Sequence, residues 1–319
     1  MPSTPVAAAT TETSIAPTTA AEVVDSMERM HGKHPGFRRS GARGACFTGT
    51  FTPTGEAAAL TTAGHLQDIP VPAVARFSNS EGNPAARDGV PVARGMAVRF
   101  ALPDGDETDL IAMTVPLFVA SNPRQFLDLT EALRPDPATG GPDPAKVQAY
   151  LGAHPHLVEA VTQCPPVPVS YATAAYWAVH AFVWTDAAGN RQPVRYRWEP
   201  EAGRAELSEE EAAARTDHYL TDELRERLGR GPVVYTLRVQ LGEDGDPTDD
   251  PSVAWPQERT EITAGRLELT GPVDDQRLWD TQRFSPVRLT DGIELSDDPV
   301  LAFRANAYAE SYRRRSREG

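Results

Sequence analysis

Cysteine is nearly absent from this chain of 319 residues, with Cys46 and Cys164 the only two. They lie far apart and outside any CxxC or Cys/His spacing, so they offer no zinc site and are expected to stay free in a reducing compartment. Aromatic residues are sparse, and no stretch approaches the ~20 consecutive apolar residues of a membrane span. Positive charge is also in deficit. The chain carries 31 Lys and Arg against 45 Asp and Glu, a formal net charge of −14, which leaves no basic stripe for nucleic acid or an anionic membrane surface. The one dense basic run, Arg313 to Arg317, reads as a solvated helix end whose cations complement the negative pole of the helix. A secretion signal is missing too. Residues 1–20 are rich in Thr, Ala, Pro and Ser, with no basic segment and no apolar core, and read as a disordered extension ahead of one domain over 21–319. The expected location is cytoplasmic.

What is present is a chain long enough to bury a large core. Val23, Met27 and Met30 have helical spacing in a segment that starts near Ala21. Short β-branched or aromatic segments bounded by turn residues follow at 45–51, 73–78, 95–100 and 109–114. A helix is expected over 123–133, then a turn-rich surface loop over 135–144, and two short helices near 145–152 and 156–163. Strands resume at 175–185 and 193–198 as a hairpin turning at Gly189-Asn190. Ser208 and three glutamates open a helix, another runs from Tyr219 to Arg230, and strands are expected at 233–241 and 266–269. Asp298-Pro299 then caps the last long helix. Strands first, helices inserted and no βαβ alternation give an α+β class, and the economical architecture is a closed antiparallel barrel carrying helices.

The last helix holds the most informative pair, Arg304 and Tyr308, one turn apart on one face. Free tyrosine ionises near ~10, and a neighbouring guanidinium favours the phenolate. A phenolate is a hard anionic ligand suited to ferric iron. Taken alone, the spacing fits core packing beside a surface charge better than it fits a ligand.

Read in order, the segments become more specific. Arg76-Phe77-Ser78, Gly82-Asn83-Pro84, Asp88, Arg94 to Phe100, Asp109-Leu110, Pro116-Leu117-Phe118, Pro135-Asp136-Pro137, Trp255-Pro256 and the closing Arg304-x-x-x-Tyr308 resemble the haem catalases. The match is nearest to the short catalase-related peroxidases and runs from about Arg38 to about Arg315. The resemblance implies a catalase-like barrel with inserted and C-terminal helices, holding haem b. It makes Tyr308 the iron ligand and Arg304 the group that keeps it ionised. It sets Arg38, Arg76 and Arg315 around the haem propionates, a role that suits the planar, permanently charged guanidinium, and Phe118 and Phe126 along the pocket. From the short forms, a monomer or homodimer is expected.

On the distal side, opposite the tyrosine, the chain departs from the family. Where the relatives carry His-Ala-Lys-Gly, this chain has Gly41-Ala42-Arg43-Gly44, and the distal asparagine position is Met113. Losing a positioned acid/base costs ~10² to 10⁴ in rate, so hydrogen peroxide dismutation is expected to be feeble. Three explanations follow. Another residue supplies the proton, His31 or His34 being nearest in sequence; or the substrate, a hydroperoxide, oxime or N-hydroxy compound, brings its own; or the fold binds haem without catalysis. The second ranks first, because the peroxide machinery is removed while Arg304 and Tyr308 are retained; in any case Gly41 and Met113 enlarge and dry the pocket, which favours a small organic molecule. The expected activity is a haem-dependent oxidoreductase of the peroxidase type, with redox-neutral dehydration or lyase chemistry as an alternative.

Overall fold

The computed structural model describes residues 17–318. The N-terminal extension expected from the composition lies outside the described residues up to position 16, and order begins slightly earlier than Ala21. Thr19 caps helix α1 (Ala20–His31) through a reciprocal capping box with Glu22, which satisfies two donors that the first turn leaves open.

Eight strands close into an antiparallel barrel. β1 (Gly44–Pro53), β2 (Val71–Asn79), β3 (Arg94–Ala101) and β4 (Glu107–Met113) form one meander. β5 (Tyr176–Thr185), β6 (Arg191–Pro200), β7 (Val233–Leu241) and β8 (Glu261–Pro272) form a second, and β8 returns to pair with β1. Closure between β4 and β5 rests on one residue pair, Met113 opposite Trp177. β9 (Ile293–Leu295) adds to β5 outside the ring. The alternation of buried and open positions in β1 and β7 is the period of two that puts one face of each strand inside. That interior is filled by Phe47, Phe51, Phe77, Phe100, Tyr176, Trp198 and Tyr235, all fully buried. The barrel is therefore a packed core with no room for a large ligand.

The ligand space lies outside that core, under a layer of helices. α2 (Pro123–Ala132) starts with Asn122 as cap and Pro123 in the first turn. The connection continues through α3 (Pro144–Ala153) and α4 (Val158–Thr162). α5 (Glu209–Ala213), α6 (Tyr219–Leu228) and α7 (Gln276–Thr281) punctuate the second half, before the 20-residue α8 (Pro299–Glu318). α1 packs against both α2 and α8. The buried Ser26 and Thr130 hydroxyls meet at 2.7 Å, and Arg314 reaches Asp25 at 2.6 Å and Glu28 at 3.2 Å. Arg39, itself buried, ties Glu28 and Glu318 at 2.7 Å each. These pairs fix the helical layer over the outer wall of β2 to β5.

Most expected elements are found within a few residues of their anticipated ends. Three differ. β8 runs over twelve residues, Glu261–Pro272, where the four of 266–269 were expected, because Ala264 and Gly265, types depleted in strands, interrupt the pattern ahead of Arg266. The helix opened by Ser208 is only five residues long. α7 and β9 were not anticipated, being too short to carry a period.

Candidate functional site

Between the barrel wall and α1, α2 and α8 lies a cavity of about 530 Å³. It is lined by every site residue the sequence singled out: Arg38, Gly41, Arg76, Met113, Phe118, Phe126, Arg304, Tyr308 and Arg315. They come from α8, α2, strands β2 and β4, the loop between β4 and α2 and the loop before β1, so only the folded chain brings them together.

The floor is made by α8. Asp298 begins the helix, its Oδ1 accepting from the amides of Val300 at 2.8 Å and Leu301 at 3.1 Å. Its Oδ2 lies 2.6 Å from Nδ1 of the buried His180 on β5. Nε2 of His180 meets Nη1 of Arg304 at 2.7 Å, and Nη2 of Arg304 meets the Tyr308 oxygen at 2.5 Å. A guanidinium only donates, so His180 Nε2 accepts, and the ring proton sits on Nδ1 facing Asp298. Burial, first among the causes, holds His180 down to about 4, which keeps it neutral in this role. At the far end the Tyr308 oxygen is likewise an acceptor, the role an anionic oxygen fills best. The sequence reading missed His180 as a participant and saw Asp298 only as a cap. An imidazole inside the apolar run of β5 was the available signal.

One edge of the cavity is cationic. Arg38 donates to the Gln282 carbonyl at 2.8 Å. Arg315 donates to the carbonyls of Asp280, Thr281 and Gln282 at the end of α7. Arg76 donates to the Gly41 carbonyl at 2.9 Å, while its buried Nε has no partner. Burial, then Arg76 and Arg315, push Arg38 down to about 8; burial lowers Arg76 and Arg315 as well. Among the described residues one carboxylate stands against the cluster, Asp280, at 3.8 Å from Arg38. Buried guanidiniums that depress one another lack an anion, and a ligand with carboxylates would supply it.

Aromatic rings form a side wall. Phe118 and Phe126 stack at 5.6 Å, and Phe118 lies 5.8 Å from the His180 ring.

The roof is largely apolar. Val23, Val24, Met27 and Met30 of α1 line it with Met96 and Met113, so each methionine apart from Met1 faces this one space. Unbranched thioethers fill irregular volume and adapt to varied ligands. Gly41 adopts φ +62°, and a Cβ there would lie 2.9 Å from Ser78 Oγ. The loop is thus shaped around glycine. The polar exceptions include Ser78, His31 and Glu81. His34, the other histidine considered, is not part of the lining. Among the described residues no three His, Cys, Asp or Glu side chains are grouped as a bare metal ion requires.

A closed antiparallel barrel with an Arg-Tyr helix under an external, cation-edged cavity defines a ligand-holding class of β-barrel. Sequence comparison makes the class specific, since a family model described as Catalase matches residues 10–318. The chain belongs to the catalase family. It is 43% identical over 299 residues to a catalase-related peroxidase of Mycolicibacterium paratuberculosis, covering 92% of this chain and 94% of the relative. A catalase-related peroxidase of Synechococcus elongatus is 34% identical, covering 93% and 88%. Among solved structures, a fungal catalase and catalase A from Saccharomyces cerevisiae both superpose with a TM-score of 0.81, at 20% and 21% identity and 92% coverage of this chain. The chain spans 62% and 64% of those two larger proteins. That likeness establishes the catalase-like closed barrel with its helices.

Proposed function

We propose that residues 21–319 form a haem peroxidase that holds ferric haem b through Tyr308, dismutates hydrogen peroxide poorly and acts on a small organic hydroperoxide. The observation that carries this is the contrast within one cavity: a complete Asp298–His180–Arg304–Tyr308 chain on one face, and Gly41, Met113 and three further methionines on the other. The residues fit the group. Arg38, Arg76 and Arg315, short of carboxylates and with Arg76 Nε unpartnered, would take the two propionates. Phe118 and Phe126 offer the porphyrin an aromatic wall. Bound there, haem supplies a ferric Lewis acid and a redox centre that exchanges an electron pair with a peroxide.

The chain's own residues set what that chemistry reaches. Arg304 donates to the Tyr308 oxygen and keeps it available as an anionic ligand, and His180 and Asp298 hold Arg304 in place. On the other face, methionine and valine side chains exclude water and receive an apolar substituent. Hydrogen peroxide has no such substituent to place there. The relatives named as peroxidases support oxidation of substrates over the redox-neutral dehydration or lyase chemistry raised by the sequence. The acidic charge supports a small-molecule partner over nucleic acid, and no helix among the described residues is long and apolar enough to cross a membrane.

Stopped-flow kinetics on the haem-loaded protein test the reading. Cumene hydroperoxide with a reducing dye should be consumed ~10- to 200-fold faster than hydrogen peroxide releases oxygen, the range that burial of an apolar substituent in such a pocket supplies. Rapid oxygen release from hydrogen peroxide would make the protein a conventional catalase and overturn the substrate assignment.

A further inference from the structure

The roof of the cavity contains a second imidazole that the family resemblance does not assign. His31 ends α1 and lines the cavity, as does Glu81 in the loop after β2. Nδ1 of His31 lies 3.0 Å from Glu81 Oε2, with both side chains largely buried. This contact, first among the causes, holds the Glu81 carboxyl below its ordinary range. The same Glu81 accepts the Ala42 amide on its backbone carbonyl at 2.9 Å. One residue therefore grips both the imidazole and the segment adjoining Gly41. Gly82 completes the arrangement, because a Cβ there would lie 2.6 Å from the Arg39 carbonyl and 2.9 Å from His31 Cβ. Only glycine lets the loop close against the ring.

We propose that His31, oriented by Glu81, is the proton acceptor and donor of the distal side, performing from the end of α1 the task left open in the loop at position 41. The inference rests on the haem-peroxidase reading above. With Nδ1 against a carboxylate, Nε2 is the nitrogen left to a ligand, the arrangement by which carboxylates fix the working tautomer of a histidine. A hydroperoxide O–H proton passes to Nε2 and is returned to the alkoxide oxygen that leaves when the O–O bond breaks; haem, when bound, would supply the electron pair for that cleavage. A two-electron reducing co-substrate restores that pair with two protons, so one hydroperoxide gives one alcohol and one water. The other charged groups packed around the pair are accounted for. Arg39 is closed on Glu28 and Glu318, Lys33 pairs with Glu318 at 3.0 Å, Arg94 acts on Glu81, and His34 turns Nε2 to the His31 carbonyl at 3.0 Å. None offers a competing proton site in the lining except Glu81 itself.

Cyanide association with the haem-loaded protein isolates the step, because HCN must give up its proton to a neighbouring base as it binds. His31→Gln should slow association by ~10² or more and remove the corresponding limb from the pH profile of hydroperoxide turnover. Glu81→Gln should slow association by a smaller factor and displace that limb, with Glu81→Asp recovering part of the loss. His34→Gln should leave the rate unchanged. The Soret band of each variant serves as the check on folding and haem loading. Failure of the wild type to hold haem would sink the haem reading itself. Haem-loaded His31→Gln that binds cyanide at the wild-type rate would overturn the role of His31 and leave that reading standing.

Discussion

On the Tyr308 face of the cavity, polar groups run in an unbroken series from the start of α8 to the phenol, each donor matched to an acceptor. On the Gly41 face the series is absent: valines and methionines from α1, β3 and β4 form the wall, and the remaining imidazole comes from the end of α1. The difference teaches that the two halves answer to different requirements. A buried series that ends on the phenol oxygen must be satisfied at every link, since an unpartnered polar atom in that position costs ~1 to 3 kcal/mol. A wall that receives a substrate needs volume and adaptability, and these tolerate change.

The comparison breaks most severely at Asp298. Asp298→Ala removes a helix cap and the partner of a buried imidazole together, and should cost ~3 to 5 kcal/mol in urea denaturation. A loss under ~1 kcal/mol would show that the series does not carry α8. Next in size is the effect of acid. Burial holds His180 at about 4, below its ordinary value, so the unfolded chain takes up that proton first. The stability is complete above ~6.5 and is lost as the pH falls toward 4, at up to ~1.4 kcal/mol per pH unit. His65, at the other end of the barrel, is held at about 3 by burial alone. It stacks on Phe100 at 4.6 Å and its Nδ1 has no partner. It adds a slope of the same sign. His65→Leu should reduce the acid slope between pH 6.5 and 4 by up to ~1.4 kcal/mol per pH unit, read from denaturation free energies across that range, and an unchanged slope would show that folding does not perturb the protonation of His65.

The Gly41 face is expected to resist less. Gly41→Ala places a side chain at a left-handed φ beside Ser78 and should cost ~1 to 2 kcal/mol. Gly41→His should cost at least that and should not by itself create rapid oxygen release from hydrogen peroxide. If it does, the loop at position 41 is a histidine site after all. Smallest is Met113→Leu at the barrel seam, expected to stay within ~1.5 kcal/mol as a volume-conserving exchange. A larger loss would mean that closure of β4 on β5 depends on the thioether.

The same division separates what the sequence disclosed from what it hid. Strands with clean alternation, and helices with a cap and an apolar stripe, announce themselves locally, as α1, α8 and β7 do. Arg304 and Tyr308 are one helical turn apart, so their meeting is written in the chain. His180 and Asp298 are 118 residues apart, and nothing in either segment reports the other. Arg38, Arg76 and Arg315 acquire a common purpose only through the family resemblance, because three isolated arginines in an acidic protein read as surface charge. The left-handed backbone at Gly41 and the grip of Glu81 on both His31 and Ala42 are properties of loops, where sequence pattern is weakest.

The most direct test of the account is the electron paramagnetic resonance and absorption spectrum of the protein loaded with ferric haem, alone and as Tyr308→Phe. The account predicts a high-spin ferric, tyrosinate-ligated signature in the wild type that the variant loses. An identical spectrum in both proteins would contradict it.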